Sequence, residues 1–323
     1  RAGALADLFG GIRAPSTLGT FLRKLTLGSI SQLEQVNRLL LARLTAAAPP
    51  LLTGCDTLAF VDLGSCQRRV YGPAKQGATV GHTKIASRSV FVRGLNAMIG
   101  TVSTLTSPPL VTNARLRAGN AVSAKGTARF LAQTVGAAHD AGATGTLVAR
   151  GDSGFYTGTV VTTRRRLHIH FSITTPGNSA IRAAYEAIDD TAWTPIRYPK
   201  AIWDEDLKAW ISDAEITETT YTAFRDTRHQ VTARPVARRV RALNHTTSPG
   251  QGEPFPTWRY HAVFTDSPFT LAQAEPQHRH HAIIEQANAD LIHGPLAHLP
   301  PGRFTANAAC LILAAITHNL LRA

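Results

Sequence analysis

Cysteine, methionine and aromatic residues are scarce in this 323-residue chain, which holds three cysteines, one methionine and 7% Phe, Trp and Tyr. Cys55, Cys66 and Cys310 are odd in number, far apart and without a CxxC spacing, so neither a disulfide framework nor a zinc site is indicated. A reducing cytoplasm fits that usage. Long apolar runs are also missing: the longest, Ala308 to Thr317, is about half of the roughly 18 residues that a membrane span needs. No secretory leader, internal repeat or low-complexity tract is recognisable. Acids are in short supply, 21 against 34 Lys and Arg, leaving a net charge of +13 and a pI near 10.4. That balance suits a polyanionic partner held with salt-dependent affinity. A ribosome-associated protein, or a genome rich in Arg and Ala, would account for the same charge. The opening at Arg1 rather than Met is that expected of a fragment.

What is present suits a folded protein. Hydrophobic residues make up 44% and charged residues 17%, enough to bury a large core in one elaborated domain or two. Four stretches differ in character: a helical segment over 1–50, an α/β stretch over 51–175, a β-rich stretch over 176–270, and helices over 271–323. In the first, Pro15-Ser16-Thr17 reads as a capped start before Leu18, Phe21, Leu22 and Leu25. A longer helix over 31–48 would carry Leu33, Val36, Leu39, Leu40 and Leu44 on one side and stop at Pro49-Pro50. Such a segment serves equally as a packing platform or as a cap that meets DNA or a second protomer.

The period then changes. Residues 57–63 form a short apolar run of the kind found in buried central strands, with Asp62 at its end. Residues 67–72 look like its antiparallel partner and 88–94 like a third strand, with a loop between them holding Lys75, Gln76, Gly77, His82, Thr83 and Lys84. Six Lys or Arg and no acid lie between Arg68 and Arg93, among them Arg69. That suggests a phosphate-contacting edge, although a solvated loop would look alike. A helix over 123–141 leads to a strand at 146–151 and a Gly-bracketed turn with Asp152. The crevice beyond such strand ends is the usual site position in open α/β sheets, while an Asp there can also cap the next helix. A strand at 167–174 alternates His168, His170 and Ser172, more in keeping with a half-exposed strand than with a metal site. All four tryptophans lie between 176 and 266, with strand-like pieces at 212–219, 230–240 and 258–265. Arg234, Arg238, Arg239 and Arg241 cluster on one of them. With Trp258 they could stack bases and hold phosphates, although most tryptophans are core residues.

Near the end, residues 280–294 read as an amphipathic helix with Ile284, Ala287 and Leu291 inward. His278, His281, Glu285 and Ile292 fall on another line. Gly294-Pro295 stops this helix, and an apolar helix over 303–321 follows. Spacing alone makes Glu285 an ordinary solvated charge. The run WRYHAVFTDSP…HRHHAIIEQANADLIHGPLAHLPPGRFTANAACLILAAITHNLLRA, residues 258–323, resembles the C-terminal end of bacterial insertion-sequence transposases of the DDE type, in the thirteen-eighty branch. Two earlier segments match that family's motifs in order, VDLGSCQRRVYG around Asp62 and VARGDSGFY around Asp152.

The resemblance implies a ribonuclease-H-like α/β fold, a mixed sheet flanked by helices and interrupted by a β-rich insertion before the last catalytic helix. It implies that Asp62, Asp152 and Glu285 are catalytic and bind two Mg²⁺ or Mn²⁺ ions, Asp62 bridging both. Carboxylate oxygens suit these ions, which in pairs activate an attacking hydroxyl and stabilise a leaving oxygen. The implied activity is DNA cleavage at the ends of an insertion sequence and joining of the 3′-hydroxyls to target DNA. The implied partner is double-stranded DNA, engaged as a homodimer in a bacterial cytoplasm at the nucleoid, with no membrane involved. Expected DNA contacts are Arg68, Arg69, Lys75, Lys84, Arg238, Arg239, Trp258, Arg279 and His281. Two departures stand out. Many relatives carry a second acid two residues after the first Asp, where this chain has Gly64. Relatives with a Tyr-Arg-Glu-Lys signature have Tyr, Arg and Lys where this chain has His278, His281 and Ile292. Composition fits equally a DNA-binding relative without catalysis, and a hydrolase using two carboxylates as acid and base needs no metal.

Overall fold

The computed structural model describes residues 11, 14–85, 88–177, 179–196, 202–205, 209–211, 214–241 and 258–323. Helix α1, Pro15–Arg23, begins on a proline, whose fixed φ and missing N–H suit the first turn, and has no side-chain cap. Helix α2, Leu27–Ala47, is capped reciprocally by Thr26 and Ser29. Its buried line is Ile30, Asn37, Leu41 and Thr45, not the leucine-rich face that hydrophobicity suggests; Val36 and Leu39 face solvent. Asn37 explains the choice, since its amide donates to the Thr112 carbonyl at 3.2 Å and fixes which side turns inward.

Strand β1, Leu58–Arg69, is the middle of the sheet, and its first seven residues are all buried. Residues 67–72 are therefore not a partner hairpin strand, because β1 runs straight on through Ser65 and Cys66. The partner is β3, Arg88–Ser103, antiparallel to β1 from Phe60↔Ser103 to Arg69↔Gly94. The other edge of β3 is shared by β2, Thr79–Ile85, and β4, Leu110–Ala118, which lie end to end. The expected basic loop is thus partly strand.

Where β2 and β4 meet, the backbones crowd together. A Cβ on Gly119 would lie 2.2 Å from the Gly94 carbonyl oxygen and 2.4 Å from that of Thr79, and one on Gly81 would lie 2.0 Å from the Gly119 oxygen. Glycine is required there by close approach.

Helix α3, Thr127–Asp140, crosses back to β5, Thr146–Gly151, which pairs parallel to β1. Helix α4, Gly158–Leu167, occupies a stretch rich in Val and Thr and leads to β6, His170–Thr174, parallel to β5. Arg164, Arg165 and Arg166 form its last turn, where cations complement the helix dipole. The sequence analysis had placed a strand from residue 167.

Helix α5, Ser179–Glu186, then precedes short strands β7, Thr194–Ile196, β8, Ile202–Asp204, and β9, Ala209–Ile211. Strands β10, Ala214–Glu218, and β11, Tyr221–Ala223, both pair with β12, Val231–Arg241. Strand β13, Trp258–Thr265, joins β12 to β6, so the order runs β2-β3-β1-β5-β6-β13-β12-β10-β7. The chain ends in α6, Leu271–Arg279, α7, Ile283–His293, and α8, Phe304–Leu320.

Alternation along β1 sorts the layers. Ala59, Val61 and Leu63 pack with Phe130, Leu131, Val160 and Val161 beneath α3 and α4. The intervening residues face the opposite side. On that side β3 and β4 meet α7 and α8 through Ile99, Val111, Leu291, Leu311 and Ile312. This is a mixed sheet flanked by helices, consistent with a ribonuclease-H-like fold.

Asn319, on α8, ties its helix to β4. Its Oδ1 accepts from the Val111 N–H and its Nδ2 donates to the Val111 carbonyl, both at 2.8 Å and both buried. An Asn319→Leu variant should lose about 1–3 kcal/mol, the cost of leaving such buried groups unsatisfied. Urea unfolding would read this as a lower midpoint at unchanged slope. Among the described residues no helix is long and apolar enough to cross a membrane.

Candidate functional site

Asp62 lies in mid-strand on β1, not at its end, and has no solvent exposure. The parallel register sets it directly across from Arg150 on β5. Nε of Arg150 donates to Asp62 Oδ1 and Nη2 donates to Oδ2, each at 2.7 Å, in a bidentate pair with both side chains fully buried. Nη1 donates to the Gln277 carbonyl, and the guanidinium lies 3.9 Å from the centre of the Phe60 ring. From the single 3-10 turn at His280–Ala282, His281 Nδ1 donates to Asp62 Oδ1 at 2.7 Å. Burial by itself would push the Asp62 carboxyl up. The Arg150 charge and the His281 hydrogen bond outweigh it and hold the group at about 2.

His278 is buried beside this pair, its ring nitrogens bonded to Ser172 Oγ and Thr174 Oγ1 at 2.9 Å. Burial, reinforced by His281 and Arg150, lowers its pKa to about 3, so it is a neutral ring that orders strand β6 against α6. The sequence analysis treated His278 as lying on the same helical line as Glu285. In the structure it belongs to α6 and faces the sheet.

Asp152 follows the last residue of β5 and is exposed. Its Oδ1 accepts the Gly154 N–H at 2.7 Å and caps the turn Ser153–Phe155. Glu285 is exposed in the first turn of α7, while Ile284, Ala287 and Leu291 are buried as the spacing predicts. Glu285, His281, His278, Arg279, Arg238 and Glu275 line a cavity of about 230 Å³ between α6, α7 and strands β12 and β13.

The remaining expected DNA contacts are scattered. Arg238 and Arg279 both pair with the buried Glu275. Arg239 is buried between the Trp193 and Trp258 rings, 4.3 and 4.4 Å from their centres, and pairs with Asp190 and Glu215. Its donors and the Trp258 face are thus turned to the protein interior. Arg68 donates to the Ala297 carbonyl at 2.9 Å, and Lys75 to the carbonyls of Leu299 and Pro300. Arg69 is exposed and stacks on Tyr71. The side chain of Lys84 lies outside the described residues.

Arg150 is the residue that sequence reasoning missed. A signal was there, because an arginine in the apolar run Leu147-Val148-Ala149 must meet a buried acid.

Residues 105–248 match the model of transposase DDE domain group 1. A transposase DDE domain is therefore present over that span, which contains Asp152 and its turn but neither Asp62 nor Glu285. No curated protein matches the chain.

Transposase DDE domains generally use divalent metal ions, which makes the donor set the question. Both Asp62 oxygens are taken by Arg150, and one of them also by His281. Among the described residues no group of three His, Cys, Asp or Glu side chains could hold a metal ion. As arranged, these residues do not fit a two-ion centre bridged by Asp62.

Proposed function

We propose that this protein acts on DNA as an insertion-sequence transposase of the thirteen-eighty branch. It would bind the ends of a mobile element as a dimer on DNA, cleave there, and join the freed 3′-hydroxyls to a target duplex in a bacterial nucleoid. The observation that carries this reading is the match of residues 105–248 to a transposase DDE domain, with Asp152 in the turn beyond β5. Supporting it, the crevice past the carboxyl ends of parallel strands is where open α/β sheets keep their sites. Glu285 borders the cavity next to His281, which itself touches Asp62. The net charge of +13 favours a polyanion.

A second reading, a DNA-binding relative that does not cut, is favoured by the sealed Asp62–Arg150 pair. Labelled duplexes carrying the element ends separate the two. In Mg²⁺, a transposase cuts and joins them, and Asp152→Asn abolishes both products while leaving retention on the duplex intact. Retention without cutting in either protein supports the second reading. If neither protein is retained, or if retention is indifferent to salt, both readings are lost.

A further inference from the structure

Two positions of β1 face helix α7, and they differ in kind. Asp62 is closed in by Arg150 and His281, with no exposure. Gly64 lies two residues on, hence on the same face. A Cβ built on Gly64 would lie 2.9 Å from Ile284 Cδ1 and 3.4 Å from Asn288 Nδ2, residues of α7 on either side of Glu285. The parallel register pairs Asp62 with Arg150 and Leu63 with Gly151, so the next step along both strands brings Gly64 level with Asp152. The adjoining amide is incomplete as well: Asn288 Oδ1 is buried and has no hydrogen-bond partner.

We infer that the β1 position able to share a cation with Asp152 and Glu285 is 64 rather than 62, and that glycine there leaves the site one carboxylate short. The inference rests on the transposase reading only for the kind of site expected. Asp62 then has a positioning role. It holds Arg150 against Phe60 and the Gln277 carbonyl, and through His281 it fixes the turn that leads into α7. Hard divalent cations gain affinity with each anionic oxygen ligand supplied, so a site with two exposed carboxylates and a glycine is weak.

The crowding at position 64 is of a forgiving sort, because the atom met first is the end of the Ile284 side chain. Gly64→Asp therefore places a carboxylate between the turn of Asp152 and the helix of Glu285, at the cost of one rotamer of Ile284.

The test is Mn²⁺ binding to the full chain, followed through the paramagnetic resonance signal of the free ion and with thermal unfolding measured beside it. The wild type should bind Mn²⁺ weakly, and Asp152→Asn should change that binding little. Gly64→Asp should bind at least about tenfold more tightly, in keeping with the gain from completing a ligand set, and Gly64→Asp/Asp152→Asn should lose the gain. If Gly64→Asp does not fold, Gly64→Asp/Ile284→Ala makes room and takes its place. Tight binding by the wild type that Asp152→Asn or Asp62→Asn abolishes would overturn the inference, since a complete site would already exist. A folded Gly64→Asp protein that binds no better than wild type overturns it too. Neither result touches the DNA-retention measurement, so failure of the site assignment and failure of the transposase reading are told apart.

Discussion

Arg150→Met is expected to lose about 3–5 kcal/mol at neutral pH, the usual cost of stranding one partner of a buried ion pair. The methionine fills much of the same space but leaves Asp62 with only His281. The pH dependence should change in sign. In the wild type the Asp62 pKa is about 2, below the roughly 3.9 of an unfolded aspartate. Its contribution is therefore present above pH ~4 and lost as the pH falls towards 2. In the variant, burial remains and the guanidinium is gone, so the carboxyl pKa rises above the unfolded value. That group then destabilises the fold as the pH climbs past ~4. The two proteins should converge in acid and diverge toward neutrality, as chemical denaturation between pH 3 and 8 would record. Asp62→Leu/Arg150→Met, which removes both charges, should recover most of the loss. A variant as stable as wild type at pH 7 would mean that the pair contributes nothing.

Gly119→Ala should also be severe. A methyl group there meets two backbone carbonyls, at 2.2 and 2.4 Å, rather than a side chain able to turn away. Relief requires β2 and β4 to separate along the edge of β3 or the Gly119–Gly77 hydrogen bond to break. Overpacking usually costs about 1–3 kcal/mol, and contact with fixed backbone belongs at or above the top of that range. Gly177→Ala is the control, because a Cβ there meets nothing within 4 Å. Its stability should stay within about 0.5 kcal/mol of wild type. Equal melting temperatures for the two variants would refute the crowding argument.

Much of the architecture is legible where one local signal dominates. The Ile284, Ala287, Leu291 stripe, the apolar last helix, β5 with its Gly-bracketed turn, and β13 all lie where periodicity sets them. Failures occur where tertiary contacts choose between local options. Ser65 and Cys66 suggest a break, yet β1 continues because β3 pairs with it along its whole second half. Val160, Val161, Thr162 and Thr163 favour a strand, but Thr157 accepts the Val160 N–H and starts a helix that buries the two valines beside Phe171. The exposed faces of Val36 and Leu39 follow from Asn37 binding β4, a partner 75 residues away in the chain. In the candidate site, the carboxylates were found by motif and their surroundings were not. Nothing near Asp62 in sequence announces that an arginine from β5 will occupy both its oxygens.

Strand β13 has one more implication. It is hydrogen-bonded to β6 on one side and to β12 on the other, so the outer strands continue the same ladder that carries Asp152. There is no hinge between the two halves of the sheet. A load applied at the far edge would travel through the backbone as if along a single plank, and anything gripped there keeps a constant offset from the crevice unless a whole row of amide bonds is torn open.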